Sequence, residues 1–213
     1  MDVAIDELPL RERKKLRTRH ALIDSALRLF TERGFDAVTL DELCDSVEIS
    51  KRTFFRTFAG KEDVAMAPMQ DVWLVFLEEL ERGEPRETEL LLMLRDALLS
   101  AIDRVAVGDW PRRAALSNRL ADVTPSMAGH NLQFCDRTSH AAVALLRREL
   151  DVDEDRTLHL RLGIDIMVAA FHCALGAWTA DDDRTAAGLA VEVRRAFDAV
   201  PDVLTMTVRP KSL

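Results

Sequence analysis

Tyrosine is absent from this chain, and only eight glycines and seven prolines punctuate its 213 residues. Alternating β-branched runs are scarce as well, so the turn-rich pattern of a β-sandwich or barrel has nothing to build on. Leu, Ala, Arg, Glu and Asp dominate, and the spacing of apolar residues predicts helices almost throughout, an all-α fold. Cysteine occurs three times, at Cys44, Cys135 and Cys173, far apart and without a C-x-x-C pair. That number and spacing exclude a disulfide framework or a zinc knuckle and fit a reducing cytoplasm. The start, MDVAIDELPL, carries acids where a secretory signal needs cations. The longest apolar stretch, Leu162 to Trp178, is short of a bilayer span and contains Asp165 and His172, so a buried helix is expected and no membrane partner.

Motifs of catalysis are missing too. There is no G-x-S-x-G elbow, no phosphate loop and no dinucleotide fingerprint, so the chain is read as a non-enzyme with no cofactor. His130, His140, His159 and His172 stand at no metal-ligand spacing, and His172, amid apolar neighbours, reads as a core or interface histidine. The run from Asp151 to Asp155 opens like a calcium loop, but Arg156 occupies the sixth place and Leu162 the twelfth. Helix capping accounts better for it and for Asp181 to Asp183.

Charge is unevenly placed. Residues 11 to 60 hold eleven Lys or Arg against eight Asp or Glu, while residues 61 to 213 hold eighteen against twenty-six, within a net charge of -8. A basic head on an acidic body keeps any attraction for phosphate local.

Helical signals divide the head into three. Residues 11 to 33 present Leu22, Ala26, Leu29 and Phe30 as one stripe, and Gly34 stops the helix. Thr39 and Glu42 form a capping box that opens a second helix with Leu40, Leu43, Cys44 and Val47 facing inward. Ser50 caps a third, in which Phe54 and Phe58 face the core while Lys51, Arg52, Thr53 and Arg56 face solvent. Two short helices joined tightly, the second basic and outward, read as a helix-turn-helix for double-stranded DNA. The cations from Arg11 to Arg19, Arg17 among them, are either an arm for phosphates or minor groove, or a solvated helix end.

Further helices are expected over 61–82, 86–107, 111–121, 125–150, 154–180 and 184–200, with the tail from Pro201 loosely held. In the long helix over 154–180, Ile164, Val168, Phe171, Leu175 and Trp178 form one apolar stripe, and Leu162, Ile166, Ala169, Cys173 and Ala177 form another. The final helix adds Leu189, Val193 and Phe197. A helix apolar on two sides needs cover on both, so the first stripe and the final helix are assigned to a homodimer interface, with a deeply buried helix in a monomer as the alternative.

The ordered set Ala26, Leu29, Phe30, Gly34, Phe35, Thr39, Leu43, Ile49, Ser50, Thr53, Phe54, Phe55, Phe58 and Lys61-Glu62 resembles the start of the TetR family of bacterial transcriptional regulators. The resemblance implies a DNA-binding domain over 11–60, a helical ligand-binding and dimerisation domain over 61–205, and a small-molecule effector that releases a palindromic operator. It implies that Lys51 and Arg56 contact phosphates, Arg52 and Thr53 lie nearest base edges, Phe55 packs on sugar, Lys61 clamps the backbone, and Thr39 offers its hydroxyl to a phosphate. It further implies a mostly apolar effector or acyl chain among Trp73, Phe76, Leu77, Met93, Leu94, Trp110, Leu116, His130, Asn131 and Phe134. Three departures stand out. Glu48 occupies the turn where the family favours a small residue, so that residue is strained or the turn is re-shaped. Phe55 and Thr57 replace common tyrosines, and Arg52 replaces a common glycine. From the first two departures follows an alternative function, a dimeric small-molecule binder without specific DNA recognition.

Overall fold

The computed structural model describes residues 9–83, 88–150, 153, 156–181 and 184–209. Among these, nine helices and no strands occur: α1 (Leu10–Arg33), α2 (Leu40–Asp45), α3 (Lys51–Phe55), α4 (Lys61–Arg82), α5 (Leu90–Val105), α6 (Trp110–Val123), α7 (Pro125–Glu149), α8 (Thr157–Ala180) and α9 (Ala186–Thr205). Asp151, Asp155, Asp182 and Asp183, invoked above as helix caps, lie outside the described residues.

The chain packs as two compact units. The first, residues 1–75 and 104–137, contains α1 to α3, the start of α4, α6 and the start of α7. Its core is Leu22, Ile23, Ala26, Leu27, Phe30, Leu43 and Phe54, each no more than 2% exposed. Gly34 ends α1 at φ 86°, ψ 147°, a backbone conformation open to glycine alone. Long-range polar contacts then tie helices that the sequence keeps far apart. Arg19 reaches Asp71 on α4 with both guanidinium nitrogens, at 2.9 and 2.8 Å, and its guanidinium lies over the Phe58 ring. Arg113 on α6 makes an equivalent pair with Asp24 on α1, at 2.7 and 2.8 Å. The Ser117 hydroxyl donates to Ala65 O at 2.6 Å, and the Trp110 indole N–H donates to Pro68 O at 3.0 Å. Pro68 sits inside α4 without an N–H to give the preceding turn, so α6 braces α4 where its own ladder is weakest.

The second unit, residues 76–103 and 138–213, contains the end of α4, most of α5, the end of α7, and α8 and α9. Here α8 packs along α9, and the Trp178 indole N–H donates to Thr185 O across the connection at 2.9 Å. Gly163 lets α5 come close: a Cβ there would stand 2.6 Å from the Leu90 side chain. α8 has 24 residues and contains an 18-residue stretch of mean hydropathy 1.5, long and apolar enough to cross a bilayer by length and composition alone. One whole side of it is nevertheless covered by its own chain, as in the core helix of a water-exposed fold. One correction concerns Pro201, which lies within α9 rather than at its end. The helix continues past the proline to Thr205.

Candidate nucleic-acid interface

Local sequence builds the α2–α3 pair. Thr39 accepts the Glu42 backbone N–H at 3.2 Å, while its own N–H and hydroxyl both donate to the Glu42 carboxylate at 2.8 Å. Arg33 adds a 2.6 Å bond from the end of α1. The Thr39 N–H, then the Arg33 guanidinium and the Thr39 hydroxyl, pull the Glu42 carboxyl down to a pKa of about 2. At the other end of α2, Glu48 N donates to Asp45 O and Ile49 N to Cys44 O, at 3.1 and 3.0 Å, a Schellman ending whose left-handed residue is Glu48 at φ 54°. The turn keeps its usual shape, and the strain falls on a glutamate in place of a glycine. Ser50 then caps α3, accepting the Thr53 N–H at 3.2 Å.

Phe54 and Phe58 are buried, with ring centroids 5.8 Å apart. They fix which side of α3 turns outward. On that side Lys51, Arg52, Phe55 and Arg56 are exposed, Phe55 to 56% with its edge on Phe54, and Thr53 is half-buried. Lys51 Nζ lies 2.8 Å from the Asp41 carboxylate, which holds its pKa above the ordinary lysine value. No carboxylate among the described residues pairs with Arg52 or Arg56. A short helix therefore offers two unopposed guanidiniums, a third cation on a solvent-exposed tether, and one flat apolar ring. Such a surface can take a polyanion and read groove edges.

Comparison with known proteins is consistent with this geometry. Residues 22–67 match the model of bacterial regulatory proteins of the tetR family. The HTH-type transcriptional regulator TcmR of Streptomyces glaucescens is 30% identical over 207 residues, covering 94% of this chain and 91% of that protein. The chain belongs to the TetR family. As a TetR-family regulator it carries a helix-turn-helix that binds DNA, and its role is transcriptional regulation. A second relative, the biofilm operon negative transcriptional regulator IcaR of Staphylococcus epidermidis, is 33% identical over 62 residues, 29% of this chain and 34% of its own length. In fold, the chain is similar to a protein described as a TetR-family transcriptional regulator from Mesorhizobium loti, at a TM-score of 0.50 and 15% identity, covering 89% of this chain and 97% of that one.

Other sequence-derived sites of this TetR-family chain are placed differently from the α3 face. Lys61 turns inward: its ammonium donates to Phe35 O and Val38 O at 2.8 Å each and lies over the Phe35 and Phe30 rings. Two of its three N–H groups thus fasten the loop before α2. Arg17 is exposed, whereas Arg19 of the same basic run is a structural strut.

The ten residues proposed to line an effector site do not share one role. Trp73, Phe76, Leu94 and Trp110 are buried core, with Trp110 committed to Pro68. His130 Nε2 is engaged, 3.0 Å from Gln70 and 3.6 Å from Asp63. Leu116 lines a groove with Phe30, Gly34 and Arg119 in the first unit. Met93 lines a cleft of ≈540 Å³ in the second unit with Leu90, Leu150, Leu160, Arg156 and His159. Leu77, Asn131 and Phe134 are half-buried.

The proposed interface needs correction. Ile164, Phe171, Leu175, Trp178, Leu189, Val193 and Phe197 are at most 7% exposed within a single chain, where α8 packs along α9 and meets α5 at Gly163. Val168 is half-buried. The outward side of α8 is the second stripe, with Leu162, Ala169, Cys173 and Ala177 exposed, Ile166 half-buried, and His172 exposed beside them, which removes the core reading and leaves the interface one untested. Sequence periodicity found both stripes; nothing local said which one α9 would take.

Proposed function

We propose that this regulator represses transcription as a homodimer on a palindromic operator and is released when a small, mostly apolar molecule binds residues 61–205, the operator being held by residues 11–60. The observation that carries the reading is the exposed α3 face, with Arg52 and Arg56 unopposed beside Phe55. Lys51 and Arg56 bind phosphates, Arg52 and Thr53 meet base edges, Phe55 packs on sugar, and Thr39 and Ser50 hold the two helices in register. Repression is supported by the relative IcaR, whose name describes a negative regulator. Two-fold symmetry suits such a head, since paired recognition helices must sit one DNA turn apart, about 34–36 Å. The corrected outer stripe of α8, from Leu162 to Ala177, is the surface assigned to the second copy.

The effector site assigned here is the cleft around Met93, whose Leu90, Leu150 and Leu160 walls suit a chain-like apolar molecule and whose Arg156 and His159 suit an acidic end. Because Arg113 grips α1 and Ser117 and Trp110 grip α4, a shift of α6 carries both helices, and Lys61 at the head of α4 carries the loop before α2. Selection of duplexes from a random pool tests the reading. One enriched palindrome, bound with an affinity that falls steeply with salt, is expected. Enrichment of no sequence would leave the alternative of a small-molecule binder without DNA recognition.

A further inference from the structure

The start of α1 and the end of the recognition helix face each other across a groove of ≈770 Å³ lined by Leu10, Arg11, Glu12, Lys14, Lys15 and Thr18 on one side and Thr53, Arg56 and Thr57 on the other. Arg11, Lys14, Lys15 and Thr18 stand at offsets of zero, three, four and seven, so they form one stripe of a helix. Thr53, Arg56 and Thr57 repeat the same spacing on the opposite wall. Four cations share this groove with one carboxylate, Glu12, and among the described residues none of the four is ion-paired.

As structure alone, the arrangement is unfavourable. Cations in the first turns of a helix oppose its dipole, and α1 has only Glu12 as an acid there, with Pro9 making no side-chain cap. Like charges three and four residues apart also repel. Arg19, one turn further on, shows the contrast: it is folded onto Asp71 and stabilises the unit. Arg11, Lys14 and Lys15 are exposed and have no comparable task in the fold.

We infer that this groove seats the sugar–phosphate strand flanking the half-site, so that α1 extends the DNA contact of α3 by the phosphates held between Arg11, Lys14, Lys15 and Arg56. A duplex is the favoured occupant because the groove is continuous with α3: Thr53 and Arg56 belong to both surfaces, and a strand following Arg56 meets Lys14 and Lys15 next. The hydroxyl of Thr18 adds a neutral phosphate donor. The α1 wall meets no base edge, so it contributes affinity and salt dependence and leaves sequence preference to α3. The inference rests on the DNA-binding reading given above.

The test compares the full chain with an Arg11→Gln/Lys14→Gln/Lys15→Gln variant on the duplex selected by the wild-type chain, with flanks extended by about half a helical turn, ~5 bp, on each side. Affinity is measured over a salt series. Loss of three phosphate contacts lowers the slope of log K against log salt by roughly 2.7 per protomer, with at least a tenfold weakening at low salt and unchanged base preference. A Lys14→Glu/Lys15→Glu variant, checked for its helical content, weakens binding further. An unchanged slope in both variants overturns the inference, and so does an altered base preference. Binding of inorganic triphosphate by the wild-type chain but not the triple variant, with the DNA slope unchanged, assigns the groove to a free anion and overturns it equally. Failure of the wild-type chain to bind any selected duplex is a different result, which removes the underlying reading.

Discussion

The outward faces of α3 and α8 are built in opposite ways. On α3 Phe54 is buried and Lys51, Arg52 and Phe55 are exposed, and Arg56 and Phe58 just beyond it continue the outward and inward sides, so a short segment sorts its residues sharply between core and solvent. On α8 both sides are apolar: Ile164, Phe171 and Trp178 are buried by the same chain, and Leu162, Ala169, Cys173 and Ala177 are left facing out. Charge marks the first surface as a place for a polyanion. The second has no such mark, and only packing reveals which stripe is already occupied.

This contrast can be broken most forcefully on α8. Phe171→Ala empties a fully buried ring site and should lower stability by about 3–5 kcal/mol in denaturant unfolding. Ala169→Glu, on the exposed stripe, should leave the fold of one chain intact and convert the sedimenting species from two chains to one. If Ala169→Glu left association unchanged while Phe171→Ala abolished it at full stability, the two faces would have to be exchanged.

On α3 the contrast sharpens at Arg52. We expect Arg52→Ala to cost roughly 1–3 kcal/mol against the preferred base and to flatten selectivity at that position, read by competition among duplexes differing at one base pair. An equal loss on every duplex would make Arg52 a phosphate contact.

How much of this was legible beforehand follows the same division. The head is written in local signals: Thr39 with Glu42, Ser50 before Lys51, Gly34 after Arg33, and stripes three and four residues apart. Each depends on neighbours within one or two helical turns. The strain at Glu48 was also readable, because a non-glycine residue stood where a left-handed conformation is needed. Contacts over long separations were not. Nothing in the sequence links Arg113 to Asp24 across 89 positions, or turns Lys61 towards Phe35 O and away from solvent. The α8 assignment failed for the same reason, since the choice between stripes is made by helices distant in sequence, α5 among them. Periodicity could not have separated Arg11, Lys14 and Lys15 from Arg19, which stands four residues from Lys15 and eight from Arg11 on the same side of the helix; only the Asp71 partner, 52 positions away, does so.

Smaller effects refine the head. Glu48→Gly removes the left-handed strain and should stabilise the chain by about 1 kcal/mol without altering DNA selectivity, as seen in thermal unfolding beside duplex binding. Destabilisation by that change would mean the Glu48 side chain makes a compensating contact. The least effect is expected in acid. Because the Glu42 carboxyl is held at about 2 rather than 4.5, its contribution is present in full above pH 4.5 and is lost as pH falls through about 2. Carboxyl NMR should place its midpoint near 2. A midpoint near 4.5 would dissolve the capping box.

Selection of duplexes from a random pool by the full chain, run beside a Lys51→Glu/Arg56→Glu variant, tests the role of the α3 face most directly. The wild-type chain should enrich one palindrome, and the variant should bind it on the order of 100-fold more weakly while keeping its helical content and its association state. Equal binding by the two chains would contradict the account.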